Sequence, residues 1–289
     1  MSLHHGSRRR PDLSASADTK NMDEAADDKL LDGTDQRRDG GLVGTLARVA
    51  ILDSVNLGQP CPNPYKDTRA TGIKKSPQLG PVEVRAPGPK RVGLGSGLVG
   101  DYIGDGEHHG GDEQALYAVP REDLDSWQQK LDRQLPNGYF GENLTTRGLD
   151  VNGARLGERW LIGAQVEVQV TSPRIPCSTF RGWMGVQGWL KRFTAEGKPG
   201  AYLSIVTPGT IRPGDPITIT RRPAHEVTVA LSFRALTTER ELLPLLLSAG
   251  DDLPAQMREG VLEYQAATST VRGQTTVRVA EYGPWTGVL

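Results

Sequence analysis

Residues 166–177 run Val166-Glu167-Val168-Gln169-Val170-Thr171-Ser172-Pro173-Arg174-Ile175-Pro176-Cys177. The first five residues alternate apolar and polar, the period of a strand with one buried face. Two prolines then stiffen the chain at the strand end and fix where the cysteine between them and the next segment points. A nearby Arg favours thiolate over thiol, and thiolate is the form that binds soft metals or attacks electrophiles. A buried, inert cysteine fits the same six residues equally well. Shorter runs of similar character lie on either side: residues 43–51, Val82-Glu83-Val84, residues 202–206, Ile217-Thr218-Ile219 and Val227-Thr228-Val229. Turn signals such as Arg212-Pro213-Gly214-Asp215 separate them. The pattern predicts a mainly β protein built on an antiparallel sheet or barrel.

Composition agrees with many turns and few long helices. The 289 residues include 35 Gly and 20 Pro, against an average usage of roughly 12% for the two together. Lys and Arg number 34 and Asp and Glu 35, a net charge of −1, so no overall field draws the chain to nucleic acid or to a membrane surface. No run approaches the roughly 18 apolar residues of a membrane helix. Arg8-Arg9-Arg10 leads into Pro-Asp-Leu-Ser rather than a hydrophobic segment, so no signal peptide is expected, and the reading is cytoplasmic with reduced thiols. The two cysteines, Cys61 and Cys177, are too few for a zinc ribbon or disulfide framework.

Two helices are predicted inside the β-rich region. One opens at Pro120 and sets Leu124, Trp127 and Leu131 on one face; the other runs through Trp189, Leu190 and Phe193. Towards the end of the chain, Thr238-Glu239-Arg240-Glu241 reads as a capping box leading into Leu242, Leu243, Leu245, Leu246 and Leu247. Pro254 opens another helix through Met257, Val261 and Leu262. The organisation read from these signals is a disordered tail over 1–40, a β domain over 41–225, a helical appendage over 226–264 and an unassigned polar end over 265–289. The tail holds Asp23-Glu24-Ala25-Ala26-Asp27-Asp28 and no aromatic residue, too little to bury against the entropy of ordering. Its His4-His5 pair reads as solvated.

Chemistry concentrates in three segments. Glu107-His108-His109-Gly110-Gly111-Asp112-Glu113-Gln114-Ala115-Leu116-Tyr117 places two histidines before a glycine pair and two carboxylates. Successive glycines can present N–H groups as an anion nest or let a ligand approach the backbone closely; an ordinary glycine turn is the plain alternative. Zinc ligation by these histidines with Asp105, Glu107 or Asp112 is disfavoured, because adjacent residues on a loop point in different directions. No Gly-x-Ser-x-Gly elbow supports a serine hydrolase. Phe140-Gly141-Glu142-Asn143-Leu144-Thr145-Thr146 sets an acceptor beside an amide, suited to a polar heterocycle or simply to a turn into a strand. The third segment is the loop ending in Cys177.

Taken in order, Thr71-Gly72-Ile73-Lys74-Lys75, Gly97-Leu98-Val99-Gly100-Asp101, His108-His109-Gly110-Gly111 with Gln114-Ala115, residues 140–144 and Pro173-Arg174-Ile175-Pro176-Cys177 resemble the motif string of MOSC domains, named for the C-terminal domain of molybdenum cofactor sulfurase. The resemblance spans about residues 43–225. The segment after 226 is similar to the three-helix appendage of stand-alone bacterial members that reduce N-hydroxylated compounds. It implies a MOSC-type β-barrel whose mouth holds the molybdenum cofactor, with Cys177 as the ligand to the metal. It further implies that Lys75, His109, Gly110, Gly111, Asn143 and Arg174 bind the cofactor and that Asp112 or Glu142 supplies a proton. At family level it also carries an association with pyridoxal phosphate.

The activity implied is reduction of an N–O bond in a small molecule such as a hydroxylaminopurine or amidoxime. No Cys-rich cluster for an iron–sulfur centre is present, and electrons are expected from a separate reductase. A homodimer is the oligomeric expectation. The rival reading is a carrier protein that uses Cys177 to hold sulfane sulfur or the cofactor for delivery.

Overall fold

A computed structural model describes residues 49–66 and 70–273. The expectations for the tail over 1–40 with its His4-His5 pair, for the first residues of the run over 43–51, and for residues 274–289 lie outside the described residues.

The strands are β1 (Ile51–Gly58), β2 (Cys61–Pro62), β3 (Ala70–Thr71), β4 (Lys75–Pro77), β5 (Val82–Val84), β6 (Leu116–Pro120), β7 (Leu144–Arg147), β8 (Arg159–Ile162), β9 (Val166–Pro173), β10 (Ala201–Thr207), β11 (Gly209–Ile211) and β12 (Ile217–Arg221). Eight of them form one sheet in the order β12-β8-β9-β10-β6-β7-β1-β4. The sheet is mixed rather than purely antiparallel as expected, because β6 and β7 run parallel. A parallel neighbour needs a crossover, and helix α1 (Arg121–Leu131) supplies it. Pro120 is the residue before that helix and the last of β6, a position where its missing N–H costs nothing.

The closed barrel implied by the resemblance is not seen as a full ring of paired strands; β12 and β4 are the two edges. The β1 and β12 ends are nonetheless tied, since Leu52 N–H donates to Asp215 O at 2.8 Å, Ile217 N–H to Ala50 O at 2.8 Å, and Gly214 N–H to Leu52 O at 2.8 Å. Those contacts use the turn read at Arg212-Pro213-Gly214-Asp215, which Asp215 closes by accepting from the Arg212 N–H at 2.9 Å.

Two apolar clusters stabilise the molecule. One runs from Leu52, Trp160, Val168 and Leu203 in the sheet to Val229, Leu246 and Val261 near the end of the chain. The other is aromatic, with Phe140, Phe180, Trp189 and Phe193 fully buried or nearly so. Phe180 meets Phe193 edge-on at 5.2 Å and Trp189 at 5.4 Å, the geometry that the ring quadrupoles favour. This second cluster anchors α2 (Ser178–Met184) and α3 (Trp189–Glu196). Helix α3 is where Trp189, Leu190 and Phe193 predicted it; α2 carries no strong apolar period over its seven residues and escapes a periodicity reading.

The last third departs from expectation in three places. Val227-Thr228-Val229 is not a strand: Thr228 caps helix α4 (Val229–Thr237), its Oγ1 accepting the Leu231 N–H at 3.1 Å. Thr238 therefore ends a helix rather than starting one, and Glu239 pairs with Arg234 at 2.8 Å instead of closing a capping box. The Leu-rich run is a 3-10 segment, Arg240–Asp252, broken at Gly250; Pro244 lies inside it, where it cannot donate to an α-helical ladder. Finally α5 (Ala255–Gly273) starts just after Pro254 as predicted but continues well past Tyr264. Among the described residues no helix is long and apolar enough to cross a membrane.

Phe193→Ala should lower unfolding stability by about 3–5 kcal/mol through the cavity it leaves, and Thr228→Ala by only about 1 kcal/mol through the lost cap. Urea denaturation of the two variants checks the ratio.

Candidate functional site

A cleft of about 780 Å³, its open mouth included, lies where β3, β4, β6 and β10 meet the loops at 101–105, 109–114 and 141–143 and the start of α2. Of the residues singled out in the sequence, Lys75, His109, Gly110, Asn143 and Cys177 line it. Arg174, Glu142, Gly111 and Asp112 do not.

The floor is organised by a residue that sequence reasoning quoted in a motif but gave no role. Asp101 is buried and collects four donors: Lys75 Nζ at 2.5 Å, Gly58 N–H at 2.7 Å, Ser96 Oγ at 2.7 Å and Asn143 Nδ2 at 2.8 Å. Its side chain is 0% exposed and that of Lys75 7%. A carboxylate so placed holds only because its charge is paired and its lone pairs are filled. The signal for it in the sequence was the Gly97–Asp101 order alone, since nothing local says that β4 and residue 143 converge on that side chain. Asn143 is held in turn from the other side, its Oδ1 accepting the Tyr117 N–H at 3.2 Å.

Cys177 is the residue before α2 and half-buried. Burial alone would raise its thiol pKa, but a hydrogen bond from His109, the nearby Arg174 charge and the Phe180 N–H outweigh it and bring the value down to about 6. It is a thiolate at neutral pH. The two adjacent histidines diverge: His109 turns to Cys177, while His108 Nδ1 lies 3.0 Å from Asp105. Asp105 also pairs with Lys66 at 2.7 Å, and these partners overcome burial to hold its carboxyl well below the usual range. Among the described residues no group of three or more His, Cys, Asp or Glu side chains is arranged to hold a metal ion.

Arg174 sits behind the cleft wall at 5% exposure. Its guanidinium lies 3.6 Å from the Phe180 ring centroid and 5.4 Å from that of Tyr117, a stacked placement that Lys could not reproduce. No carboxylate pairs with it among the described residues, and its Nη1 has no hydrogen-bond partner. Its charge therefore acts on Cys177 through space.

The two proposed proton donors are engaged elsewhere. Glu142 is fully buried and accepts from the N–H groups of Gly138 and Phe140, at 2.5 and 2.9 Å, and from Thr145 Oγ1 at 3.0 Å. Burial, opposed by those bonds, pushes its pKa up to about 7. Asp112 is exposed and accepts the Gly88 N–H at 2.9 Å. The glycine pair serves a close approach within the chain itself: Gly110 has φ 77° and a Cβ there would lie 2.6 Å from Gly95 O, while one on Gly111 would lie 2.6 Å from Lys90 N. Only glycine fits both places.

The arrangement defines a sheet protein with an open cleft lined by a cysteine of lowered pKa. The sequence profile of the MOSC domain matches residues 105–218, and the chain belongs to the MOSC family. It is 30% identical over 188 residues to the uncharacterised protein YflK of Bacillus subtilis, covering 65% of this chain and 80% of that one. The crystal structure of YiiM from Geobacillus stearothermophilus superposes with a TM-score of 0.59 at 26% identity, over 74% of this chain and 98% of that one. A protein named only as a reductase in Gibberella moniliformis is 27% identical over 159 residues, 52% of this chain and 27% of its own length.

Two outcomes follow from the geometry. Asp101→Asn, which leaves the Lys75 ammonium buried without its counter-ion, should destabilise the fold by about 3–5 kcal/mol, and Lys75→Met added to it should restore part of the loss; urea midpoints of the single and double variants test this. In a Cys61→Ser background, alkylation of Cys177 by iodoacetamide should rise with pH around a midpoint of about 6. His109→Ala removes the donor that favours the thiolate, so the midpoint should move up toward the ordinary thiol value of about 8.5.

Proposed function

We propose that the chain binds the molybdenum cofactor through the Cys177 thiolate and reduces N-hydroxylated small molecules, of which hydroxylaminopurines and amidoximes are the types. The observation that carries this reading is a cysteine held as thiolate, with a pKa of about 6, in the lining of an open cleft. A soft anionic sulfur suits molybdenum and is poorly placed for zinc or magnesium, which would ask for further ligands. The other residues fit as well. Lys75 has three N–H bonds and Asp101 takes one of them, leaving donors for an acceptor in the cleft. Gln114 lines the cleft with its Oε1 buried and without a partner, an acceptor for a heterocycle N–H. His109, Gly110 and Asn143 stand on the same wall.

When bound, the cofactor supplies two-electron chemistry at an oxygen atom, as molybdenum centres do. The chain's own residues supply the setting. His109 and Arg174 keep Cys177 ionised and ready as a ligand, and the aromatic cluster behind α2 fixes its direction. The Asp101 hub holds the floor against rearrangement as the ligand enters. Gly111 and Arg174 act from behind the wall in this reading, and Glu142 and Asp112 serve the loops that carry it rather than the reacting atoms. Similarity to a protein named as a reductase supports an oxidoreductase reading over a pure carrier. The electron donor in this proposal is a separate cytoplasmic reductase, and the working form is a homodimer. Pyridoxal phosphate has no place in it, because that cofactor needs a lysine amine free to bond to it and both lysines of the cleft wall are ion-paired.

Purified chain should contain molybdenum and pterin near one per protein and reduce an amidoxime with a chemical donor. Cys177→Ala should lose the metal and more than about 100-fold of the activity. Metal analysis and a reduction assay on the same preparations check it; a Cys177→Ala variant of full activity would overturn the reading, and persulfide on Cys177 with no molybdenum would turn it to sulfur carriage.

A further inference from the structure

Breaking an N–O bond places developing negative charge on the departing oxygen, and a site that favours the step needs a donor aimed at that oxygen. The two carboxyl groups expected from the sequence do not face the cleft. Of the wall's charged groups, Lys66 is paired with Asp105 and Lys75 with Asp101, and the N–H bonds that Lys75 has left are the ones assigned above to an acceptor in the cleft. His109 gives its hydrogen bond to Cys177. Tyr117 donates its hydroxyl to Pro199 O at 2.7 Å, away from any ligand.

Tyr202 differs. It sits on β10 opposite Tyr117, with the two rings 5.4 Å apart, and it lines the cleft. Its hydroxyl has no hydrogen-bond partner among the described residues, whereas its backbone carbonyl is fixed by Thr171 Oγ1 at 3.0 Å. The ring is close enough to Cys177 and Arg174 for their charges to act on it. Among the described residues, Tyr202 combines a place in the cleft lining, an electrostatic interaction with Cys177 and a hydroxyl without a hydrogen-bond partner.

We propose that the Tyr202 hydroxyl is the hydrogen-bond donor that holds the oxygen of the substrate's N–OH group beside Cys177, making Tyr202 a catalytic and specificity-determining residue. The inference rests on the reductase reading above. Burial raises the phenol pKa to about 12, so the donor is present across the whole working range of pH. The proton stays on the tyrosine; the two electrons and two protons that turn N–OH into N–H and water come from the cofactor and from solvent. A donor of this kind also separates substrate from product, since the product lacks the oxygen it binds.

The test compares wild type, Tyr202→Phe and Tyr264→Phe as molybdenum-loaded protein. Tyr264 lies on α5 with Arg240 over its ring, outside the residues that line the cleft, and serves as the control. Binding of an aryl amidoxime and of the corresponding amidine is measured by calorimetry, and turnover of the amidoxime is measured with a chemical donor. Tyr202→Phe should keep its molybdenum content and, in cofactor-free protein, its Cys177 alkylation midpoint, lose about 10- to 100-fold in kcat, and lose a preference for amidoxime over amidine of about 5-fold. Tyr264→Phe should change neither. A wild-type preference that survives in Tyr202→Phe, or that disappears in Tyr264→Phe instead, overturns this inference and leaves the reductase reading standing. Wild-type protein that neither prefers nor reduces the amidoxime overturns both.

Discussion

Four donors on one buried carboxylate organise the cleft. Asp101 draws in the end of β1 through Gly58, the start of β4 through Lys75, the turn at Ser96 and the loop before β7 through Asn143. These segments are distant in sequence, and each contributes one wall or corner. Removing a carboxylate from water costs several kcal/mol, and the cost is offset only when charge and lone pairs are both matched. The network therefore specifies geometry more than it adds stability. With Asp101 satisfied, Lys75 and Asn143 are held in the directions that shape the cleft.

The thiolate of Cys177 depends on a different balance. Burial works against it, and His109, Arg174 and the Phe180 N–H work for it. The Arg174 contribution is unusual because the guanidinium is itself nearly buried and has no carboxylate partner among the described residues. What holds it there is the face of Phe180 at 3.6 Å, within the cluster that also anchors α2. The same ring thus supports the helix that positions the sulfur and the cation that keeps it ionised, so packing and electrostatics at this site cannot be varied separately.

Much of this was legible from local pattern. The strand over 166–170, the helix through Trp189 and Phe193 and the turn at Arg212 are set by neighbours in sequence, and they form where the period and the turn chemistry place them. Cys177 and His109 were legible as chemistry because glycines and prolines surround them. Illegible were features decided by distant partners. Thr228 caps a helix rather than joining a strand because α4 packs its Val229 and Ala235 into the sheet core. The Leu-rich run is 3-10 because Pro244 interrupts a ladder that its leucines would otherwise favour. Asp112 turns to the N–H of Gly88, 24 residues away, and Glu142 to those of Gly138 and Phe140, and no residue spacing reports where an N–H group points.

Charge pairing in the cleft constrains what can be recognised there. Lys66 answers Asp105, Lys75 answers Asp101, and Arg174 lies near the Cys177 thiolate. A wall whose charges are matched in this way has little field left to select a ligand by net charge. Discrimination then falls to directional groups that are still uncommitted, the spare donors of Lys75, the Gln114 Oε1 and the Tyr202 hydroxyl. Such groups reject a compound that lacks the matching atom, because a donor or acceptor already buried would be left unpaired. Selection by missing atoms is also what the proposed reduction would ask of the site, since its product differs from its substrate by one oxygen.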